Sequence, residues 1–194
     1  MKLTEGLDEG PIYKNIVVNI ENKDYYEAES LLLKESLNNI CDVIKDIRSG
    51  LKPESQDHSN ATVAEKIHKS EGLIDWATTS DEIKNKFLAF KKWPKVFFKF
   101  GGVNVEAVDL QLHSNDIGNP GEVYGFDQEA LKIYCKDGVV AITSVKFPGK
   151  KVIGSKDFFN SKRDIISIGD LLWGAAQLEA VLLKSFPQKR MMSL

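Results

Sequence analysis

The chain has 194 residues and a mass of 21.7 kDa, with 42% of the residues apolar and 28% charged. That balance excludes wholesale disorder and allows one large domain or two small ones. No apolar run approaches the roughly 20 residues of a membrane span. The net charge of −2 argues against a nucleic-acid binder overall, but it is unevenly shared. Residues 1–66 hold 8 Lys and Arg against 13 Asp and Glu, whereas residues 67–194 hold 18 against 15. A polyanion partner therefore belongs with the second region. Cys41 and Cys135 are too few for a disulfide framework and match no zinc spacing, so no metal is expected. Residues 1–6 lack the apolar core of a secretory signal, which makes the cytoplasm the expected address.

Residues 13–20 (YKNIVVNI) are β-branched and partly alternating, and read as a strand. Asp24, with Glu27 three residues on, forms a capping-box pattern. From there Leu33, Leu37, Ile40, Ile44 and Ile47 recur at steps of three and four, which predicts a long amphipathic helix ended near Gly50. Residues 52–60 contain a proline and no apolar side chain, and read as a linker. Ser80-Asp81-Glu82 caps a second helix carrying Ile83, Phe87 and Phe90 and stopped by Pro94.

Beyond Pro94 the period changes. Short strand-like runs at 96–100, 103–112, 121–124, 131–135, 139–145 and 151–153 alternate with Gly101-Gly102, Asn119-Pro120-Gly121, Asp137-Gly138 and Pro148-Gly149. This pattern predicts a small barrel or sandwich, with Asp137-Gly138 as a type I′ hairpin turn. A last helix is expected from Asp170 to Ser185, and the tail also holds Trp173 and Met191-Met192. One strand and one helix cannot cover each other's apolar faces, so the opening 50 residues read as the end of a larger domain.

Several segments resemble the methionyl-tRNA formyltransferase family, in family order. Residues 6–12 (GLDEGPI) are similar to its G-L-D-x-G-x-I loop. Residues 56–67 (QDHSNATVAEKI) resemble its interdomain signature, and Ile74-Asp75-Trp76 its I-D-W. Residues 89–94 (AFKKWP) resemble its A-F-N-P-W-P turn. Lys136-Asp137-Gly138, Pro148-Gly149-Lys150-Lys151 and Asp157-Phe158-Phe159-Asn160 follow.

The resemblance implies an α+β chain in four parts. Residues 1–51 would be the terminal strand and helix of a Rossmann-like catalytic domain, and 52–68 an interdomain linker. Residues 69–165 would be an OB-like tRNA-binding barrel, and 166–194 an extra tail helix. It further implies formyl transfer from 10-formyltetrahydrofolate to the amine of methionyl initiator tRNA, by an Asn, a His and an Asp. Asp8 matches the Asp, whose role is to orient and charge the imidazole that takes the amine's proton. The Asn and the His would lie upstream of Met1, with most of the folate site. The chain is therefore expected to be inactive alone and to need an upstream catalytic half. Three other readings stand beside it: a stand-alone RNA-binding module, part of a formyl-folate hydrolase or sugar-amine formyltransferase, and a degenerate product with exposed apolar surface on its first helix.

For tRNA, the candidates are Lys91, Lys92 and Lys95 in a basic stretch, residues 84–99, that holds no acid, and Lys150, Lys151 and Arg163 in a second one. Lysines release counterions at phosphates, and interleaved aromatics offer faces for unpaired bases. The aromatics (Phe87, Phe90, Trp93, Phe97, Phe98) read mainly as core. The sequence departs from the family at Leu88, Lys91-Lys92 and Lys95. His58, His68 and His113 read as ordinary exposed residues.

Overall fold

A computed structural model describes residues 1–172 and divides the chain into two compact units, residues 1–67 and the residues from His68 on. Most of the expected tail helix, with Trp173 and Met191-Met192, lies outside the described residues. Among these, no helix is long and apolar enough to cross a membrane.

The first unit is built around one helix, α1 (Tyr25–Arg48). Asp24 caps it by accepting from the backbone N–H groups of Tyr26 and Glu27 at 2.9 and 3.0 Å, and Glu27 accepts from the Asp24 N–H at 2.9 Å. Lys45 and Arg48 in the last turn complement the negative end of the helix dipole. None of its residues is buried, and Leu33, Leu37, Ile40, Ile44 and Ile47 all remain exposed. The expected strand at 13–20 does not form. A strand needs a neighbour for its N–H and C=O groups, and the pairing stops just before this segment, where Ile12 exchanges two hydrogen bonds of 2.7 and 2.8 Å with Glu54.

The second unit is a curled antiparallel sheet with helices on it. A Thr79–Glu82 capping box starts α2 (Ser80–Ala89), one residue earlier than the sequence suggests. The strands are β1 (Phe97–Phe100), β2 (Val103–Ser114), β3 (Val123–Phe126), β4 (Leu131–Tyr134), β5 (Val139–Lys146) and β6 (Val152–Gly154). The sheet order is β1-β2-β5-β4-β3, with β6 pairing β5 off this path. Gly101 and Gly102, both at positive φ, turn β1 into β2. The two edges are covered by irregular segments. Ile74 N–H bonds to Phe97 O beside β1, and the segment ending at Leu172 exchanges hydrogen bonds with residues 121–123 beside β3.

The strands present alternate residues to one core. Val105, Ala107 and Leu110 come from β2, Leu131 and Ile133 from β4, and Val140, Ile142 and Val145 from β5. Ile74, Trp76, Ile83 and Phe87 join them from the α2 region. A third helix, α3 (Ser155–Lys162), departs from expectation; the sequence places only the Asp157-Phe158-Phe159-Asn160 motif there. It packs on β5 and β6 and buries Phe158 (1% exposed) against the rings of Phe126 and Phe147, with centroids 5.1 and 5.9 Å away. The basic residues Lys156, Lys162 and Arg163 therefore sit on or beside a helix.

The hairpin at Asp137-Gly138 also differs from expectation. Neither residue takes positive φ, so the turn is not type I′. Glycine is required at 138 for another reason, since a Cβ there would lie 2.5 Å from Ser114 O. The turn latches onto the start of α2. Asp137 Oδ1 accepts from the Ser80 N–H at 2.7 Å, and the Lys136 N–H donates to Thr78 O at 3.1 Å. The Ser80 N–H holds the Asp137 carboxyl below the usual carboxylate range.

A carboxyl depressed on folding adds stability above its unfolded pKa of about 3.9 and loses it as pH falls through the lower folded value. Urea midpoints followed from about pH 6 to about pH 2 should therefore fall less steeply for Asp137→Asn than for the parent. Phe158→Ala should cost about 3–5 kcal/mol in urea melts followed by tryptophan fluorescence, whereas Val17→Ala in the unpaired segment should stay within about 0.5 kcal/mol.

Candidate nucleic-acid interface

The long β2–β5 ladder determines where the basic residues of the second unit meet. Its register sets Glu106 opposite Lys146, and the β1–β2 register sets Phe97 beside Glu106. After α2 the chain turns through a cis Trp93-Pro94 bond, and Lys95 adopts a left-handed φ of 73°. Between this turn, the β1–β2 hairpin and the turn after β5 lies an open groove of about 580 Å³. Its cationic walls are Lys69, Lys95 and Lys146, its apolar walls include Phe97, Phe147 and Pro148, and it holds one acid, Glu106.

The sequence-derived candidates fall into distinct environments. Lys95 lines the groove, and its Nζ donates to Lys91 O. Lys91 turns inward: its Nζ stands 4.2 Å from the Phe87 ring centroid and donates to Val108 O at 3.3 Å. It helps to line a small cavity of about 60 Å³ that shares Lys95 and Glu106 with the groove. Lys92 is exposed on the turn but does not line the groove. Lys150 and Lys151 are exposed and follow directly on the groove's Phe147-Pro148-Gly149 wall, where the Lys150 N–H closes the turn onto Phe147 O at 3.0 Å. Arg163 is exposed at the C-cap of α3, next to Lys162, whose Nζ lies 5.5 Å from the Phe147 ring centroid.

Two basic runs far apart in sequence thus reach one groove. Two of its cations, Lys69 and Lys146, and its acid Glu106 are not among the candidates that the sequence singles out. Lys146 carries a signal, standing in the second basic run. Lys69 and Glu106 carry none, because only strand register and loop packing bring them there. Of the aromatics in residues 84–99, Phe87, Phe97 and Phe98 are core, while Trp93 is half exposed.

Asp8 belongs to the first unit. It is exposed, has a left-handed φ of 54°, and its backbone O accepts from Gln56 Nε2 at 2.9 Å. It helps to line an open pocket of about 540 Å³ that also holds Gln56, Asp57, His58 and Asn60. Asp57 is engaged within that wall, accepting from Ser59 Oγ at 2.7 Å and Asn60 Nδ2 at 2.8 Å. The Ser59 hydroxyl holds the Asp57 carboxyl below its ordinary value. His58, read as an ordinary linker residue, thus shares a pocket with Asp8. No hydrogen bond joins His58 to the Asp8 carboxylate among the described residues. No group of three or more His, Cys, Asp or Glu side chains there could hold a metal ion.

Comparison with known proteins adds a family. Residues 66–163 match the family model described as formyl transferase, C-terminal domain. A methionyl-tRNA formyltransferase from Pseudomonas entomophila (strain L48) is 30% identical over 174 residues, covering 89% of this chain and 56% of that protein. One from Campylobacter lari is 33% identical over 178 residues, covering 89% and 55%. The chain spans about half the length of the curated relatives it matches. Among solved structures, a variant of HypX from Aquifex aeolicus aligns with a TM-score of 0.62 at 17% identity, over 89% of this chain and 33% of that one. HypX in complex with tetrahydrofolic acid aligns with a TM-score of 0.59 at 19% identity, over 88% and 32%. At that identity the likeness speaks for the fold alone.

The groove geometry predicts which lysines matter to a polyanion. Fluorescence anisotropy with a labelled tRNA across a salt series should show affinity falling with log[KCl]. Replacing Lys69, Lys146 and Lys150 by Ala should flatten that slope by roughly 0.7–0.9 for each phosphate no longer neutralised. Lys91→Ala should instead lower the melting temperature and leave the slope close to that of the parent.

Proposed function

The chain belongs to the formyl transferase C-terminal-domain family, and we propose that it is the RNA-facing part of a methionyl-tRNA formyltransferase acting in the cytoplasm in translation initiation. On this reading the curled sheet is an OB-like tRNA-binding module, and residues 1–51 are the end of a Rossmann-like catalytic domain. The observation that carries it is the likeness to curated methionyl-tRNA formyltransferases along 89% of the chain.

The proposed reaction joins the methionyl amine to the formyl carbon of 10-formyltetrahydrofolate. The new C–N bond forms as the bond from that carbon to N10 breaks; the amine loses a proton and N10 gains one. Proton removal is the demanding step, since an ammonium has no lone pair with which to attack. Asp8 offers a carboxylate at a defined loop position but has no hydrogen-bonded imidazole among the described residues. The pocket beside it is lined by no Phe, Tyr or Trp that could stack on a pterin, and its one ring is His58. On this proposal the folate, the Asn and the His are contributed by an upstream half.

The apolar face of α1 supports this division. Five exposed leucines and isoleucines along one stripe are what a helix presents when its partner surface is elsewhere. The same exposure is what the degenerate-product reading expects, and the two differ in whether a complement restores function. A stand-alone RNA-binding module is the other reading, and one observation favours it: the basic groove is formed entirely by residues from Lys69 on.

Formyl transfer to methionyl-tRNA by the purified chain, with and without a supplied upstream half, tests the proposal. No turnover is expected from the chain alone, and turnover from the complemented pair. In that pair Asp8→Asn should lower kcat by about 10²-fold or more. Turnover by the chain alone would overturn the assignment of Asn and His to an upstream half. A complex that forms but stays inactive while still binding tRNA would leave the binding module.

A further inference from the structure

The basic groove contains a carboxylate with nothing to do. Glu106 is half-buried and lines the groove among Lys69, Lys95 and Lys146, and its carboxylate makes no hydrogen bond or ion pair among the described residues. Its register partner is Lys146, and the Lys95 ammonium already donates to the Lys91 carbonyl. In a groove that only gathers phosphates, such a group is a liability, since it repels the ligand and is partly stripped of water without a donor in return. The walls around it are mixed. Phe97, Phe147 and Pro148 supply apolar surface, and Lys69 and Lys146 supply positive charge. The volume, about 580 Å³, lies in the range of sites that hold a single small ligand.

We propose that this groove holds one nucleotide of single-stranded RNA, with Glu106 accepting a hydrogen bond from an exocyclic base amine. The inference rests on the reading that this unit faces RNA. The lysines take the flanking phosphates, the aromatic and proline walls take the base face, and the carboxylate reads the base edge. A carboxylate accepts from the cytosine N4 amine but meets a second acceptor, O4, in uracil. Cytosine and uracil therefore form the sharpest comparison, being nearly identical in size and differing at that edge. Glu106 would convert a general polyanion surface into one that selects among bases.

The test is fluorescence anisotropy of the full chain with labelled oligocytidylate and oligouridylate of eight nucleotides at low salt. The parent should bind the cytidylate about tenfold more tightly. Glu106→Gln, whose amide can accept from the cytosine amine or donate to uracil O4, should bind both more tightly and with a smaller preference for cytidylate. Glu106→Ala should bind both with equal affinity. An oligomer of N4,N4-dimethylcytidine, lacking the amine hydrogens, should bind the parent no better than uridylate does. Melting curves of each variant report folding. Equal binding of the two parent oligomers, or a preference that survives Glu106→Ala, would overturn the assignment. Binding of tRNA but of neither oligomer would refute the single-strand site and leave the RNA-facing reading intact. Failure to bind any RNA would defeat both.

Discussion

The β2–β5 ladder is the constraint on which the second unit depends. It joins the two longest strands, and its register simultaneously buries Ala107 with Val145 and Leu110 with Ile142 while setting Glu106 opposite Lys146. One residue of slip would exchange these faces, putting a carboxylate and an ammonium into the core. Irregularities between Ala107 and Leu110 bend the ladder, which lets the sheet curl around Trp76, Phe87 and Phe158. The groove is thus a by-product of core registration, in that the same pairing that closes the apolar interior brings two basic runs to one rim.

The first unit shows the contrary condition. α1 is well capped at both ends and carries basic residues where its dipole favours them, yet none of its residues is fully buried. Capping and dipole effects contribute on the order of 1 kcal/mol each, whereas burying a Leu or Ile side chain contributes roughly 1.5–3 kcal/mol. A stripe of five such side chains left in water forgoes most of what would hold a helix in place. Local sequence specifies that a helix forms there; only a partner surface would specify where it packs.

This difference decides what can be read from the residues alone. The capping box at Asp24, the apolar period of α1 and most of the strands announce themselves, because each signal is local: a hydrogen-bonding side chain, a spacing, a turn dipeptide. The failures are non-local. Residues 13–20 have the composition of a strand but no neighbour to pair with. α3 is hidden because eight residues give too little period, and its Phe158-Phe159 pair reads equally well as strand. The Asp137-Gly138 turn shows a glycine selected by its closeness to Ser114 O rather than by φ. The lysine runs are visible as charge, but Lys91 is turned inward under Val108 and Phe87, and Lys69 and Glu106 enter the groove by register and packing alone.

The linker has a role its composition conceals. Residues 52–60 look like a solvated tether, and a tether would leave the Asp8 loop to find its own shape. Instead Gln56 Nε2 donates to both Asp8 O and Gly10 O, at 2.9 and 2.7 Å, while Glu54 pairs with Ile12 on the far side of the loop. Lys2 N–H closes the loop from within onto Pro11 O, and Gly10 is obligatory there, since a Cβ would meet Lys2 O at 1.8 Å. Asp8 sits between these fixings at positive φ, a conformation that aspartate tolerates but does not prefer. A segment anchored on both sides can hold such a residue without help from any ligand. The carboxylate's position is therefore built into this chain by its linker.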